Sequence, residues 1–141
     1  MMAGYAALLV WALTLSAVDI RERRLPNRLT LTGAVVIVAG AAAYGRGVGA
    51  LVGGAALAGL YLLVHLLNPA GMGAGDVKLA LGLGAFTGAC GPEVWALATF
   101  GAPVLTAIVG AASVARGRSG ITPHGPSMCV ASLAAAAVAM P

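Results

Sequence analysis

Two carboxylates stand next to long apolar runs in this chain of 141 residues, where ionisable side chains are rare. Asp19 follows a charge-free run over 1–18, and Asp76 comes just before another over 79–92. An ionisable side chain at membrane depth is costly, so such a residue is a functional candidate. Two carboxylates held a few ångströms apart would share a proton, because both cannot ionise cheaply. One would act as a base on water and the other as an acid on a carbonyl oxygen, which is the logic of acid proteolysis.

A simpler interpretation of both residues stays open at this stage. Asp19 could be a solvated residue paired with Arg23, and Asp76 could be a first-turn residue stabilised by the helix dipole. Lys78 could reach lipid phosphate or tune the two carboxylates, and the first is typical of a lysine near a helix end. His65 is expected to be a packed or hydrogen-bonded histidine rather than a catalytic one.

The composition indicates a membrane protein. Hydrophobic residues make up 60% of the chain and charged residues 9%, whereas a soluble domain carries about 25% charged residues. This excludes a soluble enzyme, a disordered segment and a nucleic-acid-binding domain. The net charge is +4, but the basic residues form short clusters between apolar runs, a pattern that encodes orientation in a membrane.

The charge-free runs predict an all-α polytopic membrane protein, because a spanning helix needs about 20 mostly apolar residues. The predicted helices cover 2–19, 29–45, 48–67, 75–90, 94–114 and 125–140. The third helix should end near Leu67, before Asn68-Pro69. The fourth reaches a sufficient length only if it takes Asp76 into its first turn. Pro26 is expected to separate the first helix from the second.

The distribution of basic residues predicts the orientation. Of the 8 Lys and Arg residues, only Arg46 falls in a loop on one side of the predicted bundle. The other loops, 20–28, 68–78 and 115–124, should therefore face the cytosol, with both termini outside. Asp19 and Asp76 would then lie at the cytosolic ends of their helices, at a similar depth.

Glycines spaced four apart favour close helix crossings. They occur at Gly45, Gly49 and Gly53, and again at Gly84 and Gly88. Small residues let helix backbones approach in a membrane. With 21 glycines in the chain, any one pair could also be incidental.

Three segments resemble the type IV prepilin peptidases, a family of intramembrane aspartic endopeptidases. Residues 73–79 read GAGDVKL and match the family's G-x-G-D-x-K-L signature. Residues 19–29 read DIRERRLPNRL and resemble its first catalytic aspartate with the Pro-Asn step that follows. Residues 121–126 read ITPHGP and look like its Pro-aromatic-Gly-Pro entry to the last helix. His124 stands where an aromatic residue is usual, so no role is assigned to this loop.

The resemblance implies that Asp19 and Asp76 are the catalytic pair. The residues expected to support the motifs are Gly73, Gly75, Lys78, Pro26 and Asn27. The two glycines should let the backbone bend tightly and a substrate strand lie against it. The implied reaction removes the short basic leader of a type IV (Flp-like) prepilin or pseudopilin at the cytosolic face of the bacterial inner membrane. Its partners would be that substrate and the lipid bilayer, with no cofactor, metal or nucleic acid; the oligomeric state stays open.

Longer members of that family carry an extra cytosolic region with paired C-x-x-C motifs and N-methyltransferase activity. This chain has 2 cysteines, Cys90 and Cys129, and no C-x-x-C. Residues 1–141 are therefore expected to form a single transmembrane prepilin peptidase domain without a methyltransferase domain. It resembles the peptidase-only form that serves Flp-type (tight-adherence) pili.

A different class of function is a small membrane transporter or ion-conducting subunit. Asp19 and Asp76 would then relay protons with Lys78, and the glycine-rich break would line the pathway. Transporters usually contain internal repeats, and none is evident in the sequence. The paired motifs favour the peptidase.

Overall fold

The computed structural model of the chain describes residues 2–22, 25–118, 120 and 122–139, with side chains from residue 6 onward. Six α-helices and no strand are present in these ranges, which confirms the predicted all-α bundle. The helices are α1 (Met2–Glu22), α2 (Asn27–Ala43), α3 (Gly47–Leu67), α4 (Ala74–Cys90), α5 (Pro92–Ala115) and α6 (Gly125–Val138).

The first helix is longer than predicted. It continues past Asp19 to Glu22, because nothing in the intervening residues disfavours a helix. Pro26 separates α1 from α2. Its backbone is extended, with φ −66° and ψ 128°, and α2 begins at the next residue. Proline cannot continue a preceding helix but suits the start of a new one. Asp19 therefore lies in the last turn of α1 rather than at its end.

The closest crossing in the bundle joins α3 to α4 through glycines. A Cβ atom added at Gly53 would lie 2.5 Å from the carbonyl oxygen of Gly84 and 2.7 Å from the Cα of Gly88. Gly49 likewise meets the backbone of Gly88. These four glycines confirm the predicted close crossing, because a side chain at any of them would force the backbones apart. Gly45 does not take part, since it lies in a turn with φ 73° and no atom near its Cβ position.

Helix α4 is the centre of the bundle. It packs against α2, α3, α5 and α6, whereas α1 packs mainly on α6 and meets α2 lightly. Trp11 fills the space between α1 and its neighbours: its indole Nε1 donates to the carbonyl of Leu29 at 2.9 Å, and its ring occupies the space beside Gly82 on α4. Asp76 thus lies on the central helix, and Asp19 lies on a helix that packs mainly on α6.

The outer surface of the bundle is apolar. Large hydrophobic side chains on α1, α2, α3, α5 and α6 are exposed; Val35 and Phe100, for example, are 68% and 71% exposed. Exposed apolar area of this extent on a soluble monomer would mark an interaction surface. Helices α3 and α5 are long and apolar enough to cross a membrane, and α2 and α6 are shorter apolar helices. The fold is that of a helical membrane protein.

Candidate active site

The structure brings Asp19 and Asp76 to one cavity, although they are 57 positions apart in sequence (76 − 19). The cavity has a volume of about 310 Å³. Its lining residues are Asp19, Leu25, Gly73, Ala74, Gly75, Asp76 and Lys78. Both aspartates thus line the same cavity. This is the arrangement that two carboxylates sharing one proton require.

Asp19 is buried, with 8% of its surface exposed. Its Oδ2 accepts a hydrogen bond of 3.1 Å from the backbone N–H of Gly125, the first residue of α6. The simpler interpretation of a solvated Asp19 is therefore wrong, because the side chain is buried and hydrogen-bonded inside the bundle. Arg23, the ion-pair partner weighed for it, lies outside the described residues.

Asp76 is the third residue of α4 and lies in its first turn, as predicted. Its backbone N–H donates to the carbonyl of Gly73 at 3.1 Å, which closes the turn that leads into the helix. Backbone N–H groups at a helix start are unpaired and favour a nearby carboxylate. The side chain is half-buried and lines the cavity.

The glycines of the G-x-G-D segment leave room for neighbouring residues and do not adopt a special backbone conformation. Gly73 has φ −72° and ψ 145°, which any residue can adopt, and Gly75 is helical. The tight glycine-dependent bend expected here is therefore absent. A Cβ atom at Gly75 would lie 3.1 Å from the Cβ of Leu25, so glycine lets the segment before α2 pack onto the start of α4.

Lys78 and Asn27 connect the two segments that resemble the peptidase motifs. The Lys78 Nζ donates a hydrogen bond of 2.6 Å to the Oδ1 of Asn27, the first residue of α2. The sequence did not indicate this contact, since the alternatives for Lys78 were lipid phosphate and the carboxylates. Pro26 places Asn27 by starting α2 at this point. Together with Leu25 against Gly75, the bond holds the first turn of α4 beside the start of α2.

We expect this bond to contribute to stability. Lys78→Met keeps the length of the side chain but removes the donor, whereas Lys78→Gln keeps an N–H group. Because the pair is exposed, the loss should be about 1 kcal/mol of unfolding free energy. Thermal unfolding in detergent measures it: Lys78→Met should unfold at a lower temperature than Lys78→Gln. Equal midpoints for both variants and the unmodified chain would contradict this role for the lysine.

His65 holds the loop that leads to the G-x-G-D segment. Its ring Nδ1 lies 2.7 Å from the carbonyl oxygen of Met72, so Nδ1 carries the proton and donates. The side-chain Oδ1 of Asn68 accepts from the N–H of Gly71 at 3.1 Å in the same loop. The prediction of a hydrogen-bonded histidine is confirmed.

The sequence analysis missed a group of polar residues beside Asp19. His124, just before α6, contacts Tyr61 of α3 and Thr106 of α5: its Nε2 is 2.8 Å from the Tyr61 Oη, and its Nδ1 is 2.5 Å from the Thr106 Oγ1. A Cβ atom at Gly125 would lie 2.5 Å from the Asp19 Oδ2. The available signal was the segment ITPHGP, where a histidine can fill the place of an aromatic ring and also make hydrogen bonds. Ile121 of that segment lies outside the described residues.

No cluster of three or more His, Cys, Asp or Glu residues placed to hold a metal ion occurs in the part of the chain that the structure describes. The candidate site contains two carboxyl groups, backbone amides and the Lys78–Asn27 pair. A pair of neighbouring carboxyl groups can activate water and protonate a carbonyl oxygen, as described above.

Comparison with known families decides between the two classes of function. A sequence model of the type IV leader peptidase family matches residues 6–111. The chain belongs to this family. No curated protein and no solved structure matches it. As a type IV leader peptidase it is a membrane-bound protease of type IV pilus systems, and the transporter alternative is set aside. The matched range contains Asp19 and Asp76 and ends before His124.

Proposed function

We propose that this leader peptidase is an aspartic endopeptidase that uses Asp19 and Asp76 as its catalytic pair. The observation that carries the proposal is the shared cavity, to which α1 and α4 each contribute one carboxyl group. Hydrolysis of a peptide bond needs a base for water and an acid for the carbonyl oxygen, and two carboxyl groups that share one proton supply both. Family membership adds that the bond cut belongs to a leader peptide.

The reaction divides between the two groups as follows. The ionised carboxylate takes a proton from water, and the water oxygen attacks the carbonyl carbon of the scissile bond. The protonated carboxyl gives its proton to the carbonyl oxygen. Collapse of the tetrahedral intermediate re-forms the C=O bond and breaks the C–N bond. The hydroxyl proton returns to the carboxylate that donated it, and the amine leaves with the proton that came from water. The Gly125 amide on Asp19 and the first turn of α4 at Asp76 hold the two groups in place.

The proposed substrate is a type IV (Flp-like) prepilin or pseudopilin that carries a short basic leader. The basic segment over 20–28 would repel such a leader, so it is better suited to fixing topology and meeting anionic lipid. Co-expression with a prepilin of this kind tests the proposal, since loss of the leader increases its mobility on a gel. An unprocessed prepilin in the presence of folded, membrane-inserted enzyme would argue against this substrate class.

We further propose that all six helices cross the bacterial inner membrane, with the active site at its cytosolic face. The basic loops support this orientation. In a chain whose native cysteines are replaced by alanine, Arg46→Cys and a cysteine added after Pro141 should react with an impermeant thiol reagent applied from outside. Arg116→Cys should be protected until the membrane is opened. Both arginines are exposed on the bundle, so reversed reactivity would overturn the orientation.

A further inference from the structure

We propose that His124 is a positioning residue: held by Tyr61 and Thr106, it fixes the backbone amide of Gly125 that orients the carboxylate of Asp19. This inference rests on the proposed catalytic role of Asp19. His124 and Gly125 lie beyond the range 6–111 that matches the family, so their roles come from the geometry alone.

The hydrogen-bond donors and acceptors around His124 can be assigned one by one. The Thr106 hydroxyl has a single proton and donates it to the carbonyl of Ala102 at 3.0 Å. Thr106 Oγ1 therefore accepts from His124, so the ring Nδ1 carries a proton. The other ring nitrogen, Nε2, is then free to accept the proton of the Tyr61 hydroxyl. Burial lowers the pKa of His124, which favours the neutral ring that this arrangement needs.

This chain of hydrogen bonds holds His124 from two helices. Tyr61 comes from α3, where it is 4% exposed, and Thr106 comes from α5. The next residue, Gly125, begins α6 and donates to Asp19 on α1. A fully paired polar network in a low-dielectric interior specifies one arrangement of the elements it joins. Here it sets the start of α6 relative to α1.

A side chain at Gly125 would displace the carboxyl group of Asp19. A Cβ atom at Gly125 would lie 2.5 Å from Oδ2 and 3.1 Å from Cγ of Asp19. The following residue, Pro126, has no N–H, so Gly125 supplies the donor at this end of α6. A small shift of His124 would move this N–H, and with it the Asp19 side chain. Such a shift affects the rate because catalytic groups must be held in a narrow geometry.

The test uses Thr106, because its side chain can be changed with little change of volume. Thr106→Val removes the acceptor for the His124 Nδ1–H, and Thr106→Ser keeps it. Thr99→Val is the matched control: Thr99 is buried two turns earlier in α5, and its hydroxyl donates to the carbonyl of Trp95 in its own helix at 2.7 Å. Purified variants are compared on a prepilin substrate in detergent, and kcat and KM are measured separately.

Thr106→Val should lower kcat about tenfold, as expected for a displaced catalytic group, and leave KM unchanged. Thr106→Ser should restore most of the rate, and Thr99→Val should keep kcat within about twofold of the unmodified enzyme. A coupling measurement separates positioning from packing. In a His124→Phe background, Thr106→Val should have no further effect on kcat, because the ring nitrogen that donates to the Thr106 hydroxyl is absent.

Several outcomes would overturn the inference. One is an unchanged kcat in Thr106→Val. Another is an equal loss of kcat in Thr106→Val and Thr99→Val. A third is that Thr106→Val lowers kcat by the same factor in the His124→Phe background as in the unmodified enzyme. If His124→Phe fails to fold, the kcat values of Thr106→Val, Thr106→Ser and Thr99→Val are sufficient to test the inference. An active Asp19→Asn would instead overturn the proposed function. An inactive Asp19→Asn beside a fully active Thr106→Val would overturn the positioning role only.

Discussion

Asp19→Asn and Asp76→Asn are each expected to abolish removal of the leader while the protein stays folded and inserted. Each substitution replaces a proton-carrying oxygen with an amide of nearly the same shape, so the cavity persists but the shared proton is lost. Removing one member of a catalytic pair costs about as much as removing both, so the kcat of either variant should fall by about three orders of magnitude or more. Co-expression with the prepilin gives the qualitative result, and cleavage by purified enzyme gives the magnitude.

Glu22→Gln is the matched control for this experiment. Glu22 lies on the same helix as Asp19, one turn further on, and is exposed. The change from carboxylate to amide is chemically the same, but it is made outside the cavity. Glu22→Gln should process the prepilin normally. Normal processing by Asp19→Asn or by Asp76→Asn would remove the aspartic mechanism.

Gly53→Ala is expected to cause a large loss of stability at the crossing of α3 and α4. The added Cβ would lie 2.5 Å from the carbonyl oxygen of Gly84 and 2.7 Å from the Cα of Gly88, both of them backbone atoms on α4. Backbone cannot give way as a flexible side chain can, so α3 and α4 must separate. Overpacking of this kind costs about 1–3 kcal/mol and occasionally more. Because α4 carries Asp76, peptidase activity should fall together with the unfolding temperature.

The control is Gly59→Ala on the same helix. Gly59 has no atom within 4 Å of its Cβ position. Alanine should therefore be neutral there, or slightly stabilising because glycine is a poor helix former. Thermal unfolding in detergent compares the two variants directly. Equal unfolding temperatures would show that the α3–α4 crossing tolerates a methyl group and that the glycines are incidental.

The six helices could be predicted because the membrane imposes a simple rule on the sequence. A spanning segment excludes charge over about 20 residues, so the runs between charged residues already outline the bundle. The end of α1 was predicted three residues too early for a physical reason: Asp19 is charged but faces inward, and the helix continues through the exposed residues Ile20, Arg21 and Glu22. Charge alone does not tell which side of a helix a residue occupies.

The site was partly predictable. Asp19 and Asp76 could be placed at one level because the number of helices between them fixes the side on which each lies. The roles of His124 and Gly125 could not be predicted, because their partners come from three other helices and depend on which helix faces meet. The Lys78–Asn27 bond joins residues 51 positions apart and depends on the same packing. Spacing along the sequence carries no information about that geometry.

The hydrogen bond between Gly125 and Asp19 joins the first helix of the chain to the sixth, 106 positions later. During synthesis at about 5–20 residues per second, Asp19 would wait roughly 5–20 s before its amide donor is even made. Asp76 is made about midway through that interval. A ribosome-bound chain therefore holds both carboxyl groups before it can orient them. With Asp19 as a catalytic residue, the full rate of hydrolysis would be reached only after α6 has inserted and the Gly125 amide meets Asp19.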